Sequence, residues 1–314
     1  MACRPILAAC LLTAVASGTL WGEGRLALHR VEVARDTYAF IGEQTSFVAE
    51  NGGNMMNAGF IVTRRGVVLI DSGLTRKIAE EMLLHIREIS DAPIHAVINT
   101  HFHPDHTFGN SVFAALGASI LSTPAVREQL ATEGPQLIEN IHTLVAPWAE
   151  GTALHLPDGM ITGDTILDLG DHKLELILFE NAHTRSDMVV FDRSTGVLFA
   201  GDLVFHGSAP ATPNSDLEGW LEAVERLRAM PWRVLVPGHG PVMRSKAGLD
   251  VLQDYLAWLP QAIDESVMAG DDINDLLAQP IPSPFDQLAL VEWQFQRSVL
   301  KYFPEREMRL FQGR

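Results

Sequence analysis

The feature that most constrains this chain is the run His101-Phe102-His103-Pro104-Asp105-His106. It follows directly on Ala96-Val97-Ile98-Asn99, which reads as a short buried strand, so the strand delivers the chain into a loop crowded with ligand-type side chains. Three imidazoles and one carboxylate are donors for first-row metals, and neutral imidazole suits zinc. Alternation along an extended segment places His101 and His103 on one side. Asp105 and His106 come where the chain turns into the next helix, read as running from His106 to Leu116, and so can face a second metal. Pro104 stiffens the loop. A lone His-x-His pair would be weak evidence; the whole cluster at a strand-to-helix junction points to metal binding.

Three later residues sit in similar settings. His183 lies just past a strand read at Lys173 to Phe179. Asp202 follows one at Gly196 to Ala200. His239 follows one at Arg233 to Val236, in Pro237-Gly238-His239-Gly240. Loops beyond strand ends are where such folds place active sites, and the flanking glycines let the backbone turn tightly around a ligand. Together with the first cluster these residues complete two coordination spheres.

The surrounding pattern supplies an architecture. Opening strands are read in Leu26 to Glu43 and a hairpin in Gly59–Thr63 and Gly66–Asp71. Helices are read at Thr75 to Ile89, Ala125 to His142 and Asp216 to Met230, and the tail from Lys246 is mostly helical with an interruption at Pro280 to Pro284. A β-rich half with helices is followed by a second such half, which is an α/β arrangement with strands packed between helices. The segments 134–159 and 206–215 are read as loops lining the approach to the site. The remaining histidines, His29, His85, His95, His142, His155, His172 and His206, read as surface or packing residues, and Trp148, Trp220, Trp232, Trp258 and Trp293 as core or interhelix contacts. Leu249, Leu252, Leu256 and Leu259 read as a packed helix face.

Composition narrows the partners. Apolar residues make up 47% of the chain, enough for a sizeable core. The formal net charge of -16, from 23 Lys+Arg against 39 Asp+Glu, argues against nucleic acid and leaves a small-molecule substrate. After the N-terminal segment no stretch reaches the roughly 18 apolar residues of a membrane span. Residues 1–16 read as a Sec-type signal peptide: Arg4, the apolar run Ile6 to Val15, and the cleavage signal Ala14-Val15-Ala16. The expected location is therefore periplasmic or otherwise exported. Leu7-Ala8-Ala9-Cys10 also has the wording of a lipoprotein signal, but the apolar run continues beyond it, so a cleaved signal is the reading taken. The only cysteines, Cys3 and Cys10, lie inside this segment. A mature chain without cysteine must hold any metal with His and carboxylate.

The set His101-x-His103-x-Asp105-His106, His183, Asp202 and Gly238-His239-Gly240, with Leu69-Ile70-Asp71-Ser72-Gly73 upstream, resembles the metallo-β-lactamase superfamily over about residues 45–245. The resemblance implies a four-layer αββα sandwich spanning 26–245, with a helical C-terminal extension, 246–314, packed on it. It implies an enzyme with two Zn2+ per chain, the first held by His101, His103 and His183 and the second by Asp105, His106 and His239. Asp202 would bridge, and Asp71 would hydrogen-bond the ligand loop. A metal-bridging hydroxide would attack an ester, thioester, lactone or related bond, with Asp105 as the catalytic residue that orients it and shuttles its proton. Asp202 stands where the main β-lactamase subclass has Cys, which is similar to glyoxalase II and other ester hydrolases and disfavours a true β-lactamase. Gly201 to Phe205 and Gly219-Trp220-Leu221 are locally similar to exported zinc metallohydrolases of quinoprotein relay systems and to sulfur-oxidation cluster hydrolases. Two other readings compete. One is a mononuclear iron sulfur (persulfide) dioxygenase, with iron at His101, His183 and Asp202. The other is a non-catalytic periplasmic metal-binding accessory protein. A complete second set of ligands exceeds what one iron requires.

Overall fold

The computed structural model describes residues 26–312, with side chains as far as residue 309. The signal-peptide reading of 1–16, with Cys3 and Cys10, lies outside the described residues.

The first half contains β1 (His29–Ala34), β2 (Thr37–Ile41), β3 (Ala58–Thr63), β4 (Gly66–Ile70), α1 (Arg76–Arg87) and β5 (Ile94–Ile98). It continues with α2 (Pro104–Thr107), α3 (Asn110–Ala114), β6 (Ser119–Ser122), α4 (Pro124–Leu144) and β7 (Gly159–Met160). Its strands form one 7-stranded sheet in sequence order, antiparallel from β1 to β4 and parallel from β4 to β7. The second half contains β8 (Thr165–Asp168), β9 (Lys173–Glu180), β10 (Ser186–Asp192), β11 (Val197–Phe205), α5 (Leu217–Ala229) and β12 (Val234–His239). These strands form a 5-stranded sheet, β12-β11-β10-β9-β8, in which only β11 and β12 run parallel. Helices α6 (Asp250–Ala269), α7 (Ile273–Leu277) and α8 (Val291–Gln312) come last.

Side-chain alternation sorts the strands into layers. In β4, Val67 and Leu69 pack outward beneath α1 and α4, while Val68 and Ile70 face the second sheet. In β10, Val189 and Phe191 pack outward beneath Trp220 and Val224 of α5, while Met188 and Val190 face the first sheet. Three apolar layers thus separate helices, sheet, sheet and helices, which is the expected αββα sandwich. The helical tail joins the outer core of the second sheet through Leu252, Leu256 and Leu259 of α6 and Phe295 and Val299 of α8. The leucine series read as a packed face is buried as such.

Local departures from the sequence reading have local causes. The helix expected from His106 to Leu116 begins earlier, with Pro104 at its first position, and breaks between α2 and α3. There Gly109 donates to Gly73 O (2.9 Å), and a Cβ on Gly109 would stand 2.0 Å from Ser72 O. The strand expected to end at Ala200 continues to Phe205, so Asp202 lies inside β11, beside a register shift at Gly201, and not beyond a strand end. Segment 134–159 is not all loop, because α4 runs on to Leu144. Strands β6 and β7, too short to show a period, went unread. His172 is buried and pairs through Nδ1 with Asp192 Oδ2 at 2.8 Å, a packing role.

Candidate metal centre

Strand ends and turns from both sheets converge on one point. His101 and His103 come after β5, and α2 carries Asp105 and His106. His183 sits in the turn between β9 and β10, Asp202 in β11, and His239 at the last position of β12. The structure brings all seven of these residues together in two adjoining groups, His101/His103/His183/Asp202 and Asp105/His106/His239. All but His103 are buried.

Asp202 is the shared element. Its Oδ1 lies 3.0 Å from His106 Nε2. Its Oδ2 lies 3.3 Å from His239 Nε2, 3.4 Å from His183 Nε2 and 3.7 Å from His101 Nε2. One carboxylate therefore faces imidazoles of both groups. In the first group, His103 Nδ1 lies 3.0 Å from Nε2 of His101 and of His183. In the second, Asp105 Oδ2 lies 3.6 Å from Nε2 of both His106 and His239.

These separations suit cations. Tetrahedral bonds of 2.0–2.1 Å to zinc place neighbouring donor atoms about 3.3 Å apart. His106 Nε2 and Asp202 Oδ1, although close, are buried without a hydrogen bond of acceptable geometry. Buried polar atoms left unpaired are costly, and a metal between them removes that cost. The donor set, nitrogen and oxygen with no sulfur, fits zinc and other first-row divalent ions.

On four of the five rings a partner on the outer nitrogen fixes how the ring faces inward; His183 Nδ1 has none. His106 Nδ1 meets Asp71 Oδ2 at 2.7 Å, and His239 Nδ1 meets Met55 O at 2.9 Å. His101 Nδ1 lies 3.0 Å from Thr100 Oγ1. A ring that donates from Nδ1 presents the Nε2 lone pair to the cluster. His103 is reversed: its Nε2 meets Asn214 Oδ1 at 3.2 Å and its Nδ1 faces inward. Phe205 stacks on His239 with centroids 4.8 Å apart, and Trp220, fully buried, packs its edge against His183 at 4.9 Å.

Electrostatics here are set by burial and by Asp202. Burial pushes His101 and His183 well below the usual histidine range, so both stand neutral with a lone pair available. Burial also opposes charge on His106, but the Asp202, Asp71 and Asp105 carboxylates overcome it and hold its pKa well above the usual value. His239 is raised in the same way, chiefly by Asp202 against burial. Burial works against a charged Asp202, yet the imidazoles of His239, His106 and His101 hold its carboxyl well below the carboxylate range. Cation binding at His106 and His239 would therefore release protons.

Asp71 does what the sequence reading assigned to it. It accepts from Thr100 N and Thr100 Oγ1, both at 2.8 Å, and from His106 Nδ1. It does so from a left-handed backbone conformation, φ 62°. Burial raises its pKa and His106 opposes that rise. Asp71→Ala is expected to weaken metal binding by about 10–100-fold, the usual cost of losing a partner behind a ligand. It is also expected to cost about 3 kcal/mol from the buried donors left unpaired. Chelator competition and thermal unfolding measure the two effects; parental metal affinity would remove Asp71 from the site.

Several supporting residues escaped the sequence reading. Asn57 donates to Pro237 O (2.8 Å) and Gly240 O (2.7 Å), clamping the turn that carries His239. Asp187 accepts from Thr184 N and Oγ1 and closes the turn that carries His183; burial pushes its carboxyl up to about 7. Asn214 comes from the 206–215 segment, which does reach the site as expected. Arg185, two residues past His183, is exposed and pairs with Glu128 at 3.6 Å.

Comparison with known proteins agrees with this geometry. Residues 51–239 match the family model described as the metallo-beta-lactamase superfamily. The chain belongs to the metallo-beta-lactamase superfamily. A linear primary-alkylsulfatase of Pseudomonas sp. is 26% identical over 235 residues, covering 63% of this chain but only 43% of that protein. A hydroxyacylglutathione hydrolase of Synechococcus sp. is 26% identical over 160 residues, covering 49% of this chain and 52% of that protein. The solved metallo-beta-lactamase from Pontibacter korlensis superposes with a TM-score of 0.61 at 23% identity, covering 74% of this chain and 99% of that one. This last likeness concerns the fold. Members of this superfamily bind metal ions, and hydrolases recur among the relatives.

Proposed function

We propose that this superfamily member is an exported binuclear zinc hydrolase that cleaves an ester, thioester, lactone or related bond in a small molecule. The observation that carries the proposal is Asp202, one carboxylate facing imidazoles of two separate donor groups. His101, His103 and His183 would hold the first zinc, and Asp105, His106 and His239 the second, with Asp202 between them. Bound zinc supplies Lewis acidity and a water acidic enough to ionise near neutral pH.

The chain's own residues do the rest. Neutral His101 and His183 offer lone pairs without first losing a proton. Asp71 and the Met55 carbonyl fix the rings of His106 and His239. Asp105 Oδ2, 3.6 Å from Nε2 of both His106 and His239, would hold a proton at the reacting centre. Phe205 and Trp220 keep water from the buried side. The ester reading is supported by relatives that include a sulfatase, a thioesterase and a hydroxyacylglutathione hydrolase. The complete and buried group Asp105/His106/His239 favours two metals over one iron. Export rests on the signal-like wording of residues 1–16, and the domain boundary near 245 on the mostly helical character of the described residues from 246 onward. Among the described residues no helix is long and apolar enough to cross a membrane.

Elemental mass spectrometry of purified protein lacking residues 1–16, combined with a panel of thioesters, lactones and sulfate and phosphate esters, tests this reading. About two zinc per chain and turnover of one ester class are expected. About one iron per chain, with persulfide oxidation, would overturn it. Asp105→Asn is expected to lower turnover by about 10²–10⁴-fold, the range for a lost acid–base group; unchanged turnover would remove Asp105 from catalysis.

A further inference from the structure

His103 differs from its neighbours in two ways: it is only partly buried, and its Nε2, not its Nδ1, faces outward. A partly exposed ring has more freedom to turn, so something must hold it. Asn214 Oδ1 lies 3.2 Å from that Nε2. With Nδ1 bare toward the cluster, Nε2 carries the proton, and Asn214 is the acceptor that this tautomer needs.

Asn214 is itself exposed, on a loop after β11. The loop is held from the far end of the sequence. Ala209 N donates to Ala289 O (2.9 Å) and Ala289 N to Gly207 O (3.0 Å). On α8, the buried Tyr302 hydroxyl lies 2.7 Å from Thr212 O and 2.9 Å from both Ser215 O and Ser215 Oγ. The Ser215 hydroxyl donates to Thr212 O at 2.8 Å, so the single Tyr302 hydrogen goes to one of these oxygens. Ser298 donates to Gln294 O at 2.7 Å, so its oxygen receives the Thr212 hydroxyl at 2.6 Å. Thr212 and Ser298 are fully buried. The residues on either side of Asn214 are thus tied to α8 by buried hydrogen bonds.

We propose that the C-terminal extension is the outer support of the first metal position: Tyr302 and Ser298 of α8 hold the loop so that Asn214 fixes the His103 ring with Nδ1 turned inward. Asn214 and Tyr302 are positioning residues, acting through His103. The inference rests on reading His103 as a metal ligand. It gives the 246–314 extension a task in the metal centre and not only in packing.

Full-length variants separate the two ideas. Zinc affinity is measured by chelator competition, and the first position by the visible spectrum of cobalt(II)-substituted protein. His103→Ala should lose one metal; if it binds zinc like the parent, the ligand reading and this proposal both fall. Given that loss, Asn214→Ala should weaken the same metal by about 10–100-fold, while Asn214→Asp, which keeps an acceptor oxygen, holds parental affinity. Tyr302→Phe should weaken it less and alter the cobalt spectrum. The double variant Asn214→Ala/Tyr302→Phe should be no worse than Asn214→Ala alone, because both act through one bond. Equal affinities for Asn214→Ala and Asn214→Asp, or fully additive losses in the double variant, would overturn the support role. Position 214 is exposed, so its variants decide the matter even where Tyr302→Phe lowers folding stability.

Discussion

Asp202→Ala is expected to lose both metals of the proposed two-metal site and all measurable hydrolysis. The carboxylate lies within 3.7 Å of Nε2 on His101, His106, His183 and His239. Its removal leaves four buried imidazoles facing one another with no anion between them. His106 and His239, whose pKa values are raised largely by Asp202, would lose much of that support. Neither donor group then has a shared edge to close it. The loss in kcat/KM should exceed the ~10²–10³-fold that results from removing one electrostatic donor in an acyl-transfer site. Asp202→Asn should fall between the two, since it keeps one oxygen but not the charge. Metal content by mass spectrometry, read beside activity, decides the outcome. If Asp202→Ala keeps one tightly bound metal and merely slows, Asp202 serves one position, and the shared-edge account of the site is wrong.

How much of this site could be read in advance depends on how its parts are spaced. The run from His101 to His106 is contiguous, so a single strand-to-helix junction announces it. His183 and His239 come after apolar runs, and Gly238 and Gly240 flank the latter, so local wording reaches them too. Asp202 was found by the same logic, although its strand continues past it to Phe205. Apart from Asp71, the supports were not legible. Asn57 meets Gly240 across 183 positions, and Asn214 meets His103 across 111. Such pairs leave no periodic trace; only the fold brings them together. An asparagine set between Met56 and Ala58, just ahead of β3, was the one available sign, because a buried amide must have partners. The break between α2 and α3 was hidden for a similar reason. It follows from the close approach of residues 72–73 to Gly109, of which the sequence shows only the glycine. The pattern of strands and helices was readable as an α/β arrangement, but the sandwich came from the resemblance alone: β4 and the middle of β10 are apolar on both faces, so nothing in their sequence says which side meets the other sheet.

Gly238→Ala is the second change expected to abolish the site, although it touches no ligand chemistry. β12 runs parallel to β11 with the β11 register broken around Gly201, and this brings residue 238 directly over Asp202. A Cβ at 238 would stand 2.0 Å from Asp202 Oδ1, 2.7 Å from Gly201 C and 2.8 Å from Asp202 N. Two of these atoms are backbone, so the clash cannot be relieved by a rotamer change. Either the carboxylate turns out of the cluster or the two strands separate. Overpacking of this kind usually costs about 1–3 kcal/mol, sometimes more. Here the first casualty is the position of Asp202, so metal affinity should fall further than stability. Gly163→Ala is the matched control, since a Cβ there meets nothing within 4 Å. Zinc titration and thermal unfolding of the two variants give the test. Gly238→Ala should bind zinc poorly while remaining folded, and Gly163→Ala should match the parent. Normal zinc binding by Gly238→Ala would mean that β11 and β12 can shift apart without moving Asp202, and the tight coupling between these strands and the metal centre would be refuted.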